Sequence, residues 1–158
     1  MRLQAGKKTI LVDPCLTGKK AGGSLSEFIR FRYTKEMFAA IVISRASPEH
    51  CHIETLKMVD KNIKIIGNSA VCKICLKMGF TDVFELNPHE RCIFGDFEVV
   101  AYPGSKIGTW SRAQNGYVFF YKGESMLYEP SGNVVGLDGY SECFKDRPIV
   151  SAIVPMIS

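Results

Sequence analysis

Ala40-Ile41-Val42-Ile43-Ser44-Arg45-Ala46-Ser47-Pro48-Glu49-His50-Cys51-His52-Ile53-Glu54-Thr55-Leu56 runs from an unbroken apolar tetrad, through a polar knot, into a segment with helical spacing. Four apolar residues in a row, three of them β-branched, fit a buried strand. Apolar side chains at Ile53, Leu56 and Val59 fit one inward face of a helix. A strand that feeds a helix through a polar loop is the unit of an α/β fold, and such junctions are where these folds place their chemistry. From Glu49 to His52 the loop holds an acid, two imidazoles and a thiol in consecutive positions. Each of these groups can bind a metal ion or carry a proton.

On the N-terminal side of the knot, Thr9-Ile10-Leu11-Val12 reads as another buried strand, broken by Asp13-Pro14. A carboxylate in that place either faces the crevice at the strand ends or caps a turn, and the residues leave both readings open. Residues 18–23 read as a loop, and Ser24 with Glu27 has capping-box spacing. On the C-terminal side, residues 63–66 read as a strand. Residues 69–78 read as a helix stopped by Gly79, and residues 82–86 as a further strand.

Beyond the turn at residues 87–90 the period changes. Strands at 92–94, 97–101, 117–121 and 125–128 are punctuated by Gly95-Asp96 and Lys122-Gly123-Glu124, which fit hairpins. A Gly/Ser loop fills residues 103–114. A second loop at 130–139 precedes a helix-like piece at 140–144, and residues 150–154 form a last apolar strand. The expectation is one α/β domain over residues 1–158, with helices covering its sheets and with both ends breaking off close to a strand.

The chain of 158 residues is 46% hydrophobic and 23% charged, which suits an ordinary folded domain, and its net charge is +4. The basic pairs Lys7-Lys8 and Lys19-Lys20 have no aromatic interleaving, which argues against nucleic acid as a partner. No apolar run reaches membrane-spanning length and no signal-peptide core follows Met1, so a cytoplasmic protein with reduced cysteines is expected. Cys72-Lys73-Ile74-Cys75 has the gap of a zinc half-site, but it lies within the helical pattern and reads as buried helix-face thiols. His89, in a Pro-His-Glu turn, reads as an exposed polar side chain.

Several stretches share a pattern: Ile10-Leu11-Val12-Asp13-Pro14-Cys15-Leu16-Thr17-Gly18, the knot itself, Ile65-Ile66-Gly67-Asn68, residues 104–117, Leu127-Tyr128-Glu129-Pro130 and residues 150–155. Together they resemble the metallo-β-lactamase-fold hydrolases, in particular a cyanobacterial and plant-type branch. The resemblance implies an αββα sandwich of the metallo-β-lactamase type, lacking the opening hairpin before Thr9 and the C-terminal part.

It also implies a site. The family's His-x-His-x-Asp-His motif holds two metal ions that make a bridging water acidic enough to attack a carbonyl or phosphoryl centre. Here Arg45 and Ser47 stand at the first two histidine positions, and Glu49-His50 stands at Asp-His. The plant-type branch keeps an Asp-His-Cys-His element, which Glu49-His50-Cys51-His52 resembles. Ser131 and Gly104-Ser105 replace further ligand positions. Carried over residue by residue, the metal ligands are Glu49, His50 and Glu129, with Glu49 and His50 as the catalytic pair and Asp13 and His52 as supporting groups.

Replacing two imidazoles by Arg45 and Ser47 removes two ligands and puts a positive charge beside the vacated position. The leading expectation is therefore a degenerate site, non-catalytic or weakly metal-binding. Its rival is a mononuclear metal-dependent hydrolase acting on an ester, lactone or phosphoester. The cofactor expectation is one divalent ion, zinc first, or none. A small-molecule or anionic ligand is the expected partner, with no nucleic acid, no membrane and the oligomeric state left open; the compartment is a cytoplasm or a plastid. Arg45 discriminates between the two: pairing with Glu49 or Glu129 would use up the carboxylate and exclude a metal.

Overall fold

The strand β5 (Ala40–Ile43) is buried at every position, as its continuous apolar sequence requires of a central strand with both faces covered. The computed structural model describes residues 1–5, 8–15, 19–20, 23–24, 38–104, 114–130 and 147–153. These divide into two compact units, Met1–Glu85 and Leu86–Ser158.

In the first unit a five-stranded sheet has the order β1 (Arg2–Ala5), β2 (Lys8–Val12), β5, β6 (Ile65–Gly67), β7 (Val83–Glu85). β2, β5, β6 and β7 are parallel neighbours, whereas β1 pairs antiparallel with β2 through Arg2↔Leu11 to Ala5↔Lys8. The strand before Thr9 was not expected from the sequence, and an opening hairpin is present to that extent. Its residues Arg2-Leu3-Gln4-Ala5 carry no strong strand signal of their own. The ladder to β2 makes them a strand. Within the segment read as a loop, β3 (Lys19–Lys20) and β4 (Gly23–Ser24) form a two-residue antiparallel ladder.

Two helices follow strands of this sheet. The five-residue α1 (Ile53–Lys57) buries Thr55 and Leu56 and leaves Ile53 37% exposed. The expected helical stripe thus ends early: Val59 is buried, but it lies beyond the single helical turn. The helix α2 (Ser69–Lys77) matches its expected span. Asn68 caps its start by accepting from the Val71 N–H, and Gly79, at φ +87°, takes the left-handed conformation that stops it. Ile41, Ile43, Ile65, Leu56, Val71, Cys75 and Phe80 are among the residues of one buried cluster in this unit.

The second unit is a meander, β8 (Arg91–Phe94), β9 (Phe97–Pro103), β10 (Asn115–Tyr121) and β11 (Glu124–Tyr128), with β12 (Ser151–Ile153) added in parallel to β11. Both expected hairpins are present, with Phe94↔Phe97 and Tyr121↔Glu124 closing two-residue turns. Val100, Tyr102, Val118 and Phe120 share one buried cluster, the alternation expected of residues on one face of paired strands. Arg147 ties the segment before β12 to this sheet by a two-point ion pair with Glu98, its guanidinium 3.4 Å above the Phe120 ring.

Glu27, Ser105, Ser131, the helix-like piece at 140–144 and Val154 lie outside the described residues.

Candidate functional site

The parallel register sets Val12 beside Val42, and the Asp13 N–H donates to the Val42 carbonyl at 3.0 Å. The first residue after β2 therefore meets the first residue after β5, at the strand ends where α/β folds bind ligands. Asp13 takes φ +43°, a left-handed conformation that Asp adopts more readily than most residues. Its carboxylate accepts from the Ser44 N–H at Oδ1 (2.7 Å) and from the Ser44 hydroxyl at Oδ2 (2.5 Å). His50 Nδ1 approaches the same Oδ2 at 2.7 Å. The Asp13 side chain is 6% exposed and that of His50 15%. Asp13 and His50, both singled out in the sequence, are thus in direct contact. Ser44 was missed, since a serine after a strand carries no signal until the strand register is known.

Arg45 stays close to the chain it comes from. Its Nε donates to the Ser47 hydroxyl at 2.9 Å and its Nη2 to Glu49 Oε1 at 2.7 Å. Arg45 therefore bonds to both Ser47 and the Glu49 carboxylate. Glu49 is 59% exposed. Its carboxyl is held below the usual range by its own backbone N–H first, against a smaller effect of burial, and then by Ser47 and Arg45.

His52 is the N-cap of α1. Its Nδ1 accepts from the Thr55 N–H at 3.3 Å and lies 2.9 Å from the Thr55 hydroxyl. The bond satisfies a helix N–H that has no partner within the helix, so His52 does structural work there.

Cys51 and Cys75 of α2 are both buried, and the interaction between the two thiols holds Cys51 below the usual thiol range, against burial, and with burial pushes Cys75 far above it. Cys72 donates to the Gly67 carbonyl, and burial raises its thiol to about 11. Both thiols of the Cys-x-x-Cys sequence are buried on α2, as its helical pattern implies. His89 is exposed, at φ +72°.

Glu129 belongs to the other unit. It is 4% exposed, follows β11, and accepts from the Tyr102 hydroxyl at Oε2 (3.1 Å), while its N–H donates to the Ile153 carbonyl. Among the described residues no three His, Cys, Asp or Glu side chains form a group that could hold a metal ion. In the knot, Oε1 of Glu49 is paired with Arg45, Nδ1 of His52 caps a helix and Nδ1 of His50 faces Asp13.

No family model and no curated protein matches the chain. Solved structures do. CmlA, a diiron beta-hydroxylase from Streptomyces venezuelae, aligns with a TM-score of 0.67 at 21% identity over 92% of this chain and 30% of its own. An isothiocyanate hydrolase from Delia radicum gut bacteria aligns at 0.66 and 15% identity, over 92% of this chain and 64% of its own. The metallo-beta-lactamase fold protein YhfI from Bacillus subtilis aligns at 0.55 and 16%, over 80% and 52%. The chain spans about a third to two thirds of the length of these neighbours. At such identities the likeness shows the fold, an α/β architecture of the metallo-β-lactamase type with one five-stranded sheet in each unit. No helix among the described residues is long and apolar enough to cross a membrane.

Proposed function

We propose that this chain is a metallo-β-lactamase-fold protein whose metal site is degenerate, binding a divalent ion weakly or not at all and not turning over a substrate. The observation that carries this reading is the Arg45–Glu49 ion pair. Arg45 stands where a neutral imidazole would be a ligand, brings a fixed positive charge, and engages the one carboxylate of the knot's ligand set. A metal ion would have to displace the guanidinium and then accept an incomplete donor set.

The rival, a mononuclear metal-dependent hydrolase, draws support from the Asp13–His50 contact, since metal-binding histidines commonly give their second nitrogen to a carboxylate. It also has the metal-dependent neighbours on its side. It asks more of the residues, however: Glu49 must share a carboxylate already bonded to Arg45. The degenerate reading leaves that pair undisturbed.

Elemental analysis of protein purified without added metal tests this. Zinc per chain is expected near zero, and the same in Glu49→Ala. The double variant Arg45→His/Ser47→His, which frees Glu49 and restores two imidazoles, is expected to take up zinc. A parent with one zinc per chain, lost in His50→Ala, would establish the rival reading instead.

A further inference from the structure

Ser47-Pro48 is the chain's single Ser-Pro step, and no threonine precedes a proline. Proline in that place offers no N–H, a feature by which proline-directed protein kinases choose the residue they modify. The step lies in the knot between β5 and α1, outside every strand and helix. Ser47 is half-buried, while Pro48 and Glu49 are exposed. The Ser47 carbonyl accepts from the His50 N–H at 3.0 Å and from the Cys51 N–H at 2.7 Å. Extending the segment into a kinase cleft gives up these two turn bonds and leaves β5 and α1 in place, the kind of local opening that loops undergo most easily.

The hydroxyl already has a cation beside it. Arg45 Nε donates to Ser47 Oγ at 2.9 Å, and Nη2 of the same guanidinium reaches Glu49 Oε1 at 2.7 Å. A phosphate on Oγ would bring about two negative charges and three strong acceptor oxygens to that guanidinium. Arginine takes phosphate at two points, and such charge-assisted bonds are roughly twice as strong as its present bond to a neutral hydroxyl. Glu49, at 59% exposure, would then be a like charge beside the phosphate with water at hand. Its pair with Arg45 is the contact that gives way.

We propose that Ser47 is a phosphorylation site for a proline-directed serine/threonine kinase, with Arg45 as the built-in receptor of the phosphate, so that modification transfers the guanidinium from Glu49 to the new phosphate. In the step itself the Ser47 hydroxyl oxygen bonds to the γ-phosphorus of ATP and the bond from that phosphorus to the β,γ-bridging oxygen breaks. ADP leaves, and the hydroxyl proton passes to the kinase's base. The site goes beyond the degenerate-metal reading. Its test follows phosphate and not zinc, so either can fail alone.

The full chain, incubated with magnesium ATP and a purified proline-directed kinase, is expected to gain about 80 Da, one phosphoryl group, located at Ser47 by fragmentation of the protein in the mass spectrometer. Ser47→Ala and Pro48→Ala should each abolish the gain. No phosphate at Ser47, or undiminished incorporation in Pro48→Ala, would overturn the assignment.

The receptor is tested on the phosphorylated protein by its rate of dephosphorylation with alkaline phosphatase. Arg45→Gln, which removes the cation, should speed release by about tenfold, the loss of one charge-assisted hydrogen bond. Glu49→Gln, which removes the competing carboxylate, should slow it. The opposite signs separate a receptor from a loosened knot, which would speed release in both variants. Equal rates in parent and variants, or faster release in both, would refute the role given to Arg45.

Discussion

Gly116→Ala is expected to destabilise the protein by about 4 kcal/mol, from about 2 of overpacking and about 2 of a lost buried hydrogen bond to a carboxyl group. Gly116 pairs with Tyr102 across the β9–β10 ladder, and the Tyr102 ring lies over it. A methyl group at residue 116 would fall within the atoms of that ring, the hydroxyl included. The ring crosses β10 at the one position with no side chain and so reaches the far strand, where its hydroxyl donates to the Tyr128 carbonyl and to Glu129 Oε2, each at 3.1 Å. Alanine must push the ring aside and take the hydroxyl's bond from the buried Glu129. Equilibrium unfolding in urea measures the loss, and Tyr102→Phe separates its parts. It removes the hydroxyl but keeps the ring, so it should cost about half as much. Equal losses in the two variants would show that the alanine methyl is accommodated.

Asp13→Ala should cost about 3 kcal/mol or more, with a matching fall in the midpoint of thermal unfolding. Three donors lose a buried acceptor at once: the Ser44 N–H, the Ser44 hydroxyl and His50 Nδ1. A donor left buried without a partner typically costs about 1–3 kcal/mol. Alanine must also adopt φ +43°, which adds about 1 kcal/mol of backbone strain. Asp13→Asn keeps the Oδ1 acceptor and tolerates that backbone, so it should lose about a third as much. Loss of the same size in both variants would mean that the charge, and not the hydrogen-bond pattern, holds the cluster together.

Much of the fold is legible because local pattern and tertiary environment agree. β5 is apolar throughout because both its faces are covered. α2 has Asn68 at its start and Gly79 at its stop, and the two hairpins carry glycine where φ is positive, at Gly95 and Gly123. β1 is illegible because Arg2 and Gln4 are exposed, and only the ladder to β2 distinguishes it from a solvated end. Ile53 misleads because its helix is a single turn.

In the candidate site, the Arg45–Glu49 pair could be posed from the sequence, since residues four apart at a helix-like turn can meet. The Asp13–Ser44 contact could not. It depends on β2 and β5 being parallel with Val12 beside Val42, a register that neither strand encodes alone. The tyrosine that holds Glu129 was hidden in the same way, behind a pairing of Tyr102 with Gly116.

The contrast between the two ladders bears on the order in which the chain comes together. The β8–β9 and β10–β11 pairs close through two residues each, and at the second turn Lys122 and Gly123 both have positive φ, as the tightest hairpins demand. Such pairings give up little chain entropy and form on the microsecond scale typical of hairpins. The β2–β5 ladder, Ile10↔Ala40 to Val12↔Val42, must instead close a long crossover before it gains its first bond. During vectorial synthesis the Asp13 carboxylate emerges well before Ser44, and it stays in water until that crossover closes. The polar cluster is therefore expected to form late in folding, with its carboxylate dehydrated only as the groups that compensate it arrive.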